Sequence, residues 1–93
     1  MSDSMKRKNA LILGGAKGLG LGVSEALAKQ GVNIILVGRD EEALISTKTA
    51  LSRYGVDVNV GVCDLSDGAS VVAMLKAVDE LVDAVDIVLL NGG

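Results

Sequence analysis

The chain has 93 residues, 49% of them apolar, with nine Lys and Arg against twelve Asp and Glu and a net charge of −3. That length suits one small domain, the apolar share excludes a disordered chain, and a pI near 4.7 argues against nucleic acid or an anionic membrane as partner. One cysteine and no histidine exclude an intrachain disulfide, a zinc site of the Cys/His type and any Ser-His-Asp or Cys-His catalytic set.

Along the chain, residues 1–9 carry Lys6-Arg7-Lys8, but the apolar run behind them is only Ala10-Leu11-Ile12-Leu13. That is too short for a secretory signal, and no window approaches the ~20 apolar residues of a membrane span. With a lone Cys63 suited to a reducing compartment, a cytoplasmic location is expected. Four short runs rich in Val, Ile and Leu follow, at residues 10–14, 32–38, 56–63 and 85–90. Their length and β-branched content predict strands. The second and fourth are apolar at nearly every position, which predicts burial on both faces of a parallel sheet.

Three segments of helical period lie between them, at 18–30, 40–54 and 66–84. The second sets Leu44, Thr47, Leu51 and Tyr54 on one stripe. The third does the same with Val71, Leu75, Val78 and Val82, with Ser66 expected as its N-cap. Gly31 and Gly55 fall where left-handed C-caps are expected. The order β-α-β-α-β-α-β, with short connections, predicts parallel strands and right-handed crossovers. This is an α/β fold, half of a doubly wound (Rossmann) sheet, in strand order 3-2-1-4.

Where the first strand gives way to the first helix, five glycines fall in nine residues: Gly14, Gly15, Gly18, Gly20 and Gly22. Glycines there permit positive φ and let the backbone approach a phosphate without a Cβ in the way. The helix start offers unpaired N–H groups and about half a positive charge, for which the pyrophosphate of a dinucleotide is the usual guest. Candidate binding residues are Gly14, Gly15, Ala16, Lys17, Gly18, Leu19 and Gly20. A plain G-x-G-x-x-G does not fit, because position 23 is Val23, whereas G-x-x-x-G-x-G fits through Gly14, Gly18 and Gly20. A Walker loop fails, since Lys17-Gly18 is not followed by Ser or Thr. The plainer alternative is a glycine-rich turn that binds nothing.

Gly14-x-x-x-Gly18-x-Gly20, followed by Val23, Ala26, Leu27 and Gly31, resembles the opening of a short-chain dehydrogenase/reductase. The family usually has threonine just before the first glycine, where this chain has Leu13. The resemblance implies that the acidic residue of NAD-preferring relatives falls on Gly38, which has no side chain to offer. It also implies that Arg39 and Lys17 clamp the 2′-phosphate of NADP. Alternatively, both are surface cations, with Arg39 pairing Glu42. Asp40 is expected to cap the second helix.

Further along, Asp64 matches the family's acceptor for the adenine amine, with the Leu65 backbone serving the ring. Asp64 or Ser66 could equally be the cap of the next helix, and Cys63 reads as a small buried core residue. The segment Leu90-Asn91-Gly92-Gly93 resembles the family's Asn-Asn-Ala-Gly, with Leu90 in place of the first Asn. The resemblance implies that Asn91, Gly92 and Gly93 border the ribose and nicotinamide and, equally, that Asn91 stitches neighbouring backbone, two roles that are compatible.

The family's catalytic Ser and Tyr-x-x-x-Lys lie beyond that segment. The one tyrosine here, Tyr54, is followed four residues later by Val58, so no catalytic residue is assigned. The expectation is one dinucleotide-binding domain over residues 1–93, an N-terminal fragment cut after the fourth strand and inactive by itself. Its parent would be a homo-oligomeric, NADP-dependent oxidoreductase that moves hydride between the nicotinamide and a small carbonyl or alcohol substrate. The alternative is a free-standing, non-catalytic nucleotide-binding or regulatory half-domain. No metal, nucleic-acid or membrane partner is expected.

Overall fold

A computed structural model of the protein describes residues 8–14 and 18–90, of residues 18 and 19 the backbone alone. Strands β1 (Asn9–Leu13), β2 (Asn33–Gly38), β3 (Val58–Val62) and β4 (Ile87–Leu90) alternate with helices α1 (Gly18–Lys29), α2 (Glu41–Ser52) and α3 (Gly68–Leu81). The four strands form one parallel sheet in the order β3-β2-β1-β4, the order expected from the sequence.

Alternation along each strand divides the core in two. Ala10, Ile12, Ile34, Leu36 and Val58 face α1 and α2, where they pack with Ala28, Leu44 and Leu51. Leu11, Ile35 and Val37 face the other way and pack with Met74 and Val78 of α3. Ile12, Ile34, Leu36, Leu44 and Leu51 are almost wholly sealed from solvent. Burial of each such side chain contributes roughly 1.5–3 kcal/mol.

The expectation of burial on both faces holds for β2, whose Ile34 to Val37 are all buried. It fails for β4, where half-buried Ile87 and Leu89 alternate with Val88 and Leu90, 62% and 68% exposed. Val88 and Leu90 pair with Leu11 and Leu13 and share their face of the sheet, which α3 covers only in part. A groove bordered by Leu11, Leu75, Val82 and Val88 opens there. The same groove explains a second correction. The buried residues of α3 are Met74 and Val78, whereas Leu75 is 49% exposed and turned toward the open side.

Helix ends follow the sequence with one change. Asp40 caps α2, its Oδ1 accepting the Ala43 N–H at 3.2 Å. Gly31 and Gly55 take φ of +85° and +77°, the left-handed backbone expected at those C-caps. The cap of α3, however, is Asp67 and not Ser66: Asp67 Oδ1 accepts the Ala69 N–H at 3.1 Å.

The opposite, N-terminal edge of the sheet is tied by polar side chains. Asn9 donates from its backbone N–H to Asp86 Oδ2 and from Nδ2 to the Ala84 carbonyl, both at 2.9 Å. Asn33 Nδ2 donates to Asn9 Oδ1 at 3.4 Å, and Asn33 Oδ1 accepts the Asp57 N–H at 3.0 Å. Asn9 and Asn33 are direct register partners, so this ladder fixes the relative height of the strands. Among the described residues no helix is long and apolar enough to cross a membrane.

Candidate functional site at the carboxyl edge of the sheet

Because the strands are parallel and in register, with Leu13 beside Val37 and Leu90 and Gly38 beside Val62, their carboxyl ends lie level. This edge, in an open parallel sheet, is where ligands bind. At the end of β1, Gly14 takes φ of +79°, a conformation that a side chain disfavours, and donates its N–H to the Val37 carbonyl at 2.6 Å. α1 then begins at Gly18 with no acidic residue in its first turn, unlike α2, which carries Glu41 and Glu42 there. The positive end of the α1 dipole is therefore not offset locally. Ser24, fully buried under this turn, donates Oγ–H to the Gly20 carbonyl at 2.7 Å and leaves no stranded hydroxyl.

β2 delivers Gly38 and Arg39 to the same edge. Gly38 has an ordinary φ, and a Cβ built there would meet only Leu44 Cδ2 at 3.6 Å. Arg39 is exposed and makes no hydrogen bond or ion pair among the described residues. The alternative pairing with Glu42 does not form. A guanidinium is costly to tether but free to meet an anion, and its planar fork suits phosphate.

β3 is followed by Cys63, 2% exposed, and Asp64. The Cys63 N–H donates to the Gly38 carbonyl at 2.8 Å, which brings Asp64 beside Arg39. The carboxylate does not cap α3. Asp64 Oδ1 instead accepts the Ser66 hydroxyl at 2.6 Å and the Ser66 N–H at 3.0 Å, while Oδ2 accepts no hydrogen bond among the described residues. These two bonds hold the Asp64 pKa below its ordinary value, and Arg39 adds a smaller electrostatic pull in the same direction. The backbone is anchored as well: the Asp64 N–H donates to Ser70 Oγ at 3.3 Å and the Asp67 N–H to the Asp64 carbonyl at 3.0 Å. Leu65, half-buried, packs on the α3 side of the core.

The structure thus gathers Gly14, the backbone of Gly18, Leu19 and Gly20, Arg39, Asp64 and Leu65 at one edge. Gly15, Ala16, Lys17, Asn91, Gly92 and Gly93 lie outside the described residues. Two serines hold roles not anticipated from the sequence: Ser66, expected as the α3 cap, instead partners Asp64, and Ser70 anchors the Asp64 backbone. The Asp-x-Ser spacing is the signal that could have found the first, since Asx and Ser turns use it. Tyr54 lies elsewhere, just ahead of β3 at the far edge, its hydroxyl 3.3 Å from Glu25 Oε2 and its ring flanked by Lys29 and Arg53. Among the described residues no three His, Cys, Asp or Glu side chains cluster as a metal site would require.

A glycine turn into a helix, a switch in strand order between β1 and β4, and cationic and acidic groups at neighbouring strand ends define a nucleotide-binding half-sheet. The short chain dehydrogenase family matches over residues 8–93, and the chain belongs to it. It is 38% identical over 84 residues to the granaticin polyketide synthase putative ketoacyl reductase 1 of Streptomyces violaceoruber, covering 90% of this chain and 31% of that protein. Among solved structures, L-sorbose reductase from Gluconobacter frateurii, complexed with NADPH and L-sorbose, superposes with a TM-score of 0.88 at 31% identity, covering 96% of this chain and 34% of that one. An NAD+-bound xylitol dehydrogenase superposes at 0.84 with 26% identity, covering 87% and 31%. The chain spans about a third of the length of the proteins it matches.

Proposed function

We propose that residues 1–93 form the NADP(H)-binding domain of an oxidoreductase that transfers hydride between the nicotinamide and a small carbonyl or alcohol substrate. The observation that carries the cofactor choice is the end of β2. Gly38 offers no carboxylate to a ribose 2′-hydroxyl, and the next residue is an exposed Arg39 that makes no hydrogen bond or ion pair among the described residues and interacts with Asp64 only through a weaker electrostatic pull. Lys17 would approach the same phosphate from the glycine turn. Structural neighbours carry both cofactors, NADPH in sorbose reductase and NAD+ in xylitol dehydrogenase, so the choice rests on these residues.

Within this reading, Gly14, Gly15, Ala16, Gly18, Leu19 and Gly20 present backbone to the pyrophosphate at the start of α1. Asp64 accepts from the adenine amine and the Leu65 backbone lies against the ring. Asn91, Gly92 and Gly93 border the ribose and nicotinamide. Bound there, the nicotinamide supplies or takes the hydride, and the protein residues named here hold and orient it without moving a proton. The acid/base group is not among them, because Tyr54 sits at the wrong edge and lacks a lysine four residues on.

The test is titration with NADPH and NADH of wild-type protein and Arg39→Ala. Hydrogen bonds to a charged phosphate contribute about 1.5–3 kcal/mol each, so the variant should lose about tenfold or more for NADPH and almost nothing for NADH. Equal losses for the two cofactors would refute the clamp.

A further inference from the structure

Asp64 is exposed, and an exposed carboxylate ordinarily samples several rotamers. Here two donors hold it in one orientation. Both donors of Ser66, hydroxyl and amide, converge on the same oxygen, Oδ1, at 2.6 and 3.0 Å. The backbone on either side is held in turn, through Cys63 to Gly38, through Asp64 to Ser70 and through Asp67 back to the Asp64 carbonyl. Ser66 is available for this because Asp67 takes the capping duty of α3. The outcome is one carboxylate oxygen fully engaged and the other, Oδ2, accepting nothing among the described residues.

We propose that Ser66 is a positioning residue: it locks the Asp64 carboxylate so that Oδ2 stands ready, at fixed orientation, to accept the exocyclic amine of the adenine ring. The proposal rests on the dinucleotide reading above and adds to it the device that preorganises the adenine end. Ser66 touches no ligand itself and acts only through Asp64. Its worth is the ordering that Asp64 would otherwise undergo on binding. Immobilising a free side chain costs about two- to tenfold in affinity, and the lock removes that cost in advance.

The experiment measures the dissociation constants of NADP+ and of nicotinamide hypoxanthine dinucleotide phosphate, which lacks the amine, by calorimetry on the same protein. Wild type should prefer NADP+ by about tenfold. Ser66→Ala, which keeps the amide but loses the hydroxyl, should weaken NADP+ about two- to tenfold and leave the hypoxanthine analogue within about twofold. Ser66→Thr should restore wild-type values, and Ser66→Ala added to Asp64→Ala should cost nothing further.

A merely structural Ser66 would weaken both nucleotides alike, and that result overturns the proposal, as does a wild type that does not distinguish them. Failure of wild type to bind either nucleotide is a different result, and it overturns the cofactor reading instead. Should Ser66→Ala not fold, the isosteric pair Ser66→Thr and Ser66→Val carries the same comparison.

Discussion

Placing a carboxylate at the end of β2 should reverse the cofactor preference, and Gly38→Asp is the substitution that does it. Gly38 has an ordinary φ, so an L side chain is not strained there. Its Cβ would rest 3.6 Å from Leu44 Cδ2, an ordinary van der Waals distance. The backbone carbonyl that receives the Cys63 N–H is unaffected by the change. The new carboxylate would lie next to Arg39, within about 5 Å of a phosphate held there. At an effective dielectric of about 20, repulsion at that separation is about 3 kcal/mol per unit of phosphate charge. Salt trims this to about 2 kcal/mol, a loss of about 30-fold for NADPH. NADH has a hydroxyl instead and gains a hydrogen bond to a charged acceptor, worth about tenfold. Cofactor fluorescence titrations should show the ratio of the two constants moving by about 300-fold. An unchanged NADPH constant, with the fold intact by circular dichroism, would show that the 2′-phosphate does not sit at the end of β2.

Three further outcomes follow from the local structure. Gly22→Ala should stabilise the protein by about 0.5–1 kcal/mol, because residue 22 is an exposed mid-helix position where a Cβ meets nothing within 4 Å; a rise of several degrees in Tm is the readout. Asp67→Ala should cost about 1 kcal/mol in denaturant unfolding through loss of the α3 cap. Ser66→Ala, which caps nothing, should cost less than Asp67→Ala, and the reverse ranking would contradict the cap assignment. For Asp64 the folded-state pKa lies below the ordinary 3.8, so its stabilising contribution is full above that value and is lost as pH falls through the lowered one. Wild type should therefore lose stability relative to Asp64→Asn below about pH 4, and parallel pH profiles for the two would remove this reading.

Most of the architecture could be read from residue pattern. Four apolar runs of strand length, separated by helical stripes and punctuated at Gly31 and Gly55, leave little choice but a parallel sheet with crossovers. The strand order came from the doubly wound pattern those elements imply. What the pattern could not carry were properties set by neighbours. Val85 to Leu90 looks like a strand buried on both faces, yet Val88 and Leu90 lie open on the face they share with Leu11 and Leu13, because α3 covers that face only in part. α3 has apolar residues on two overlapping stripes, through Leu75 or through Met74, and only the position of the helix over β1 and β2 selects Met74. Adjacent Ser66 and Asp67 are both good caps, and backbone geometry decides for Asp67.

The site shows the same division. The glycine turn and the Gly38-Arg39 pair were visible as residue types at strand ends, because their chemistry is intrinsic to the residues. The lock of Ser66 on Asp64 was not, because it depends on side-chain rotamers within a turn. Nor was the Asn9–Asn33 ladder, since both residues adjoin apolar runs that read simply as strand.

The most direct test of the central claim is to map amide chemical shifts on titration with NADPH and, separately, with NADH. The account predicts perturbations confined to the carboxyl edge: Gly14 to Gly20, Gly38, Arg39, Asp64, Leu65 and Asn91 to Gly93, with the difference between the two cofactors concentrated at Gly38 and Arg39. Perturbations centred instead on the groove between α3 and β4 or on the Asn9–Asn33 edge would contradict it, as would identical maps for the two cofactors.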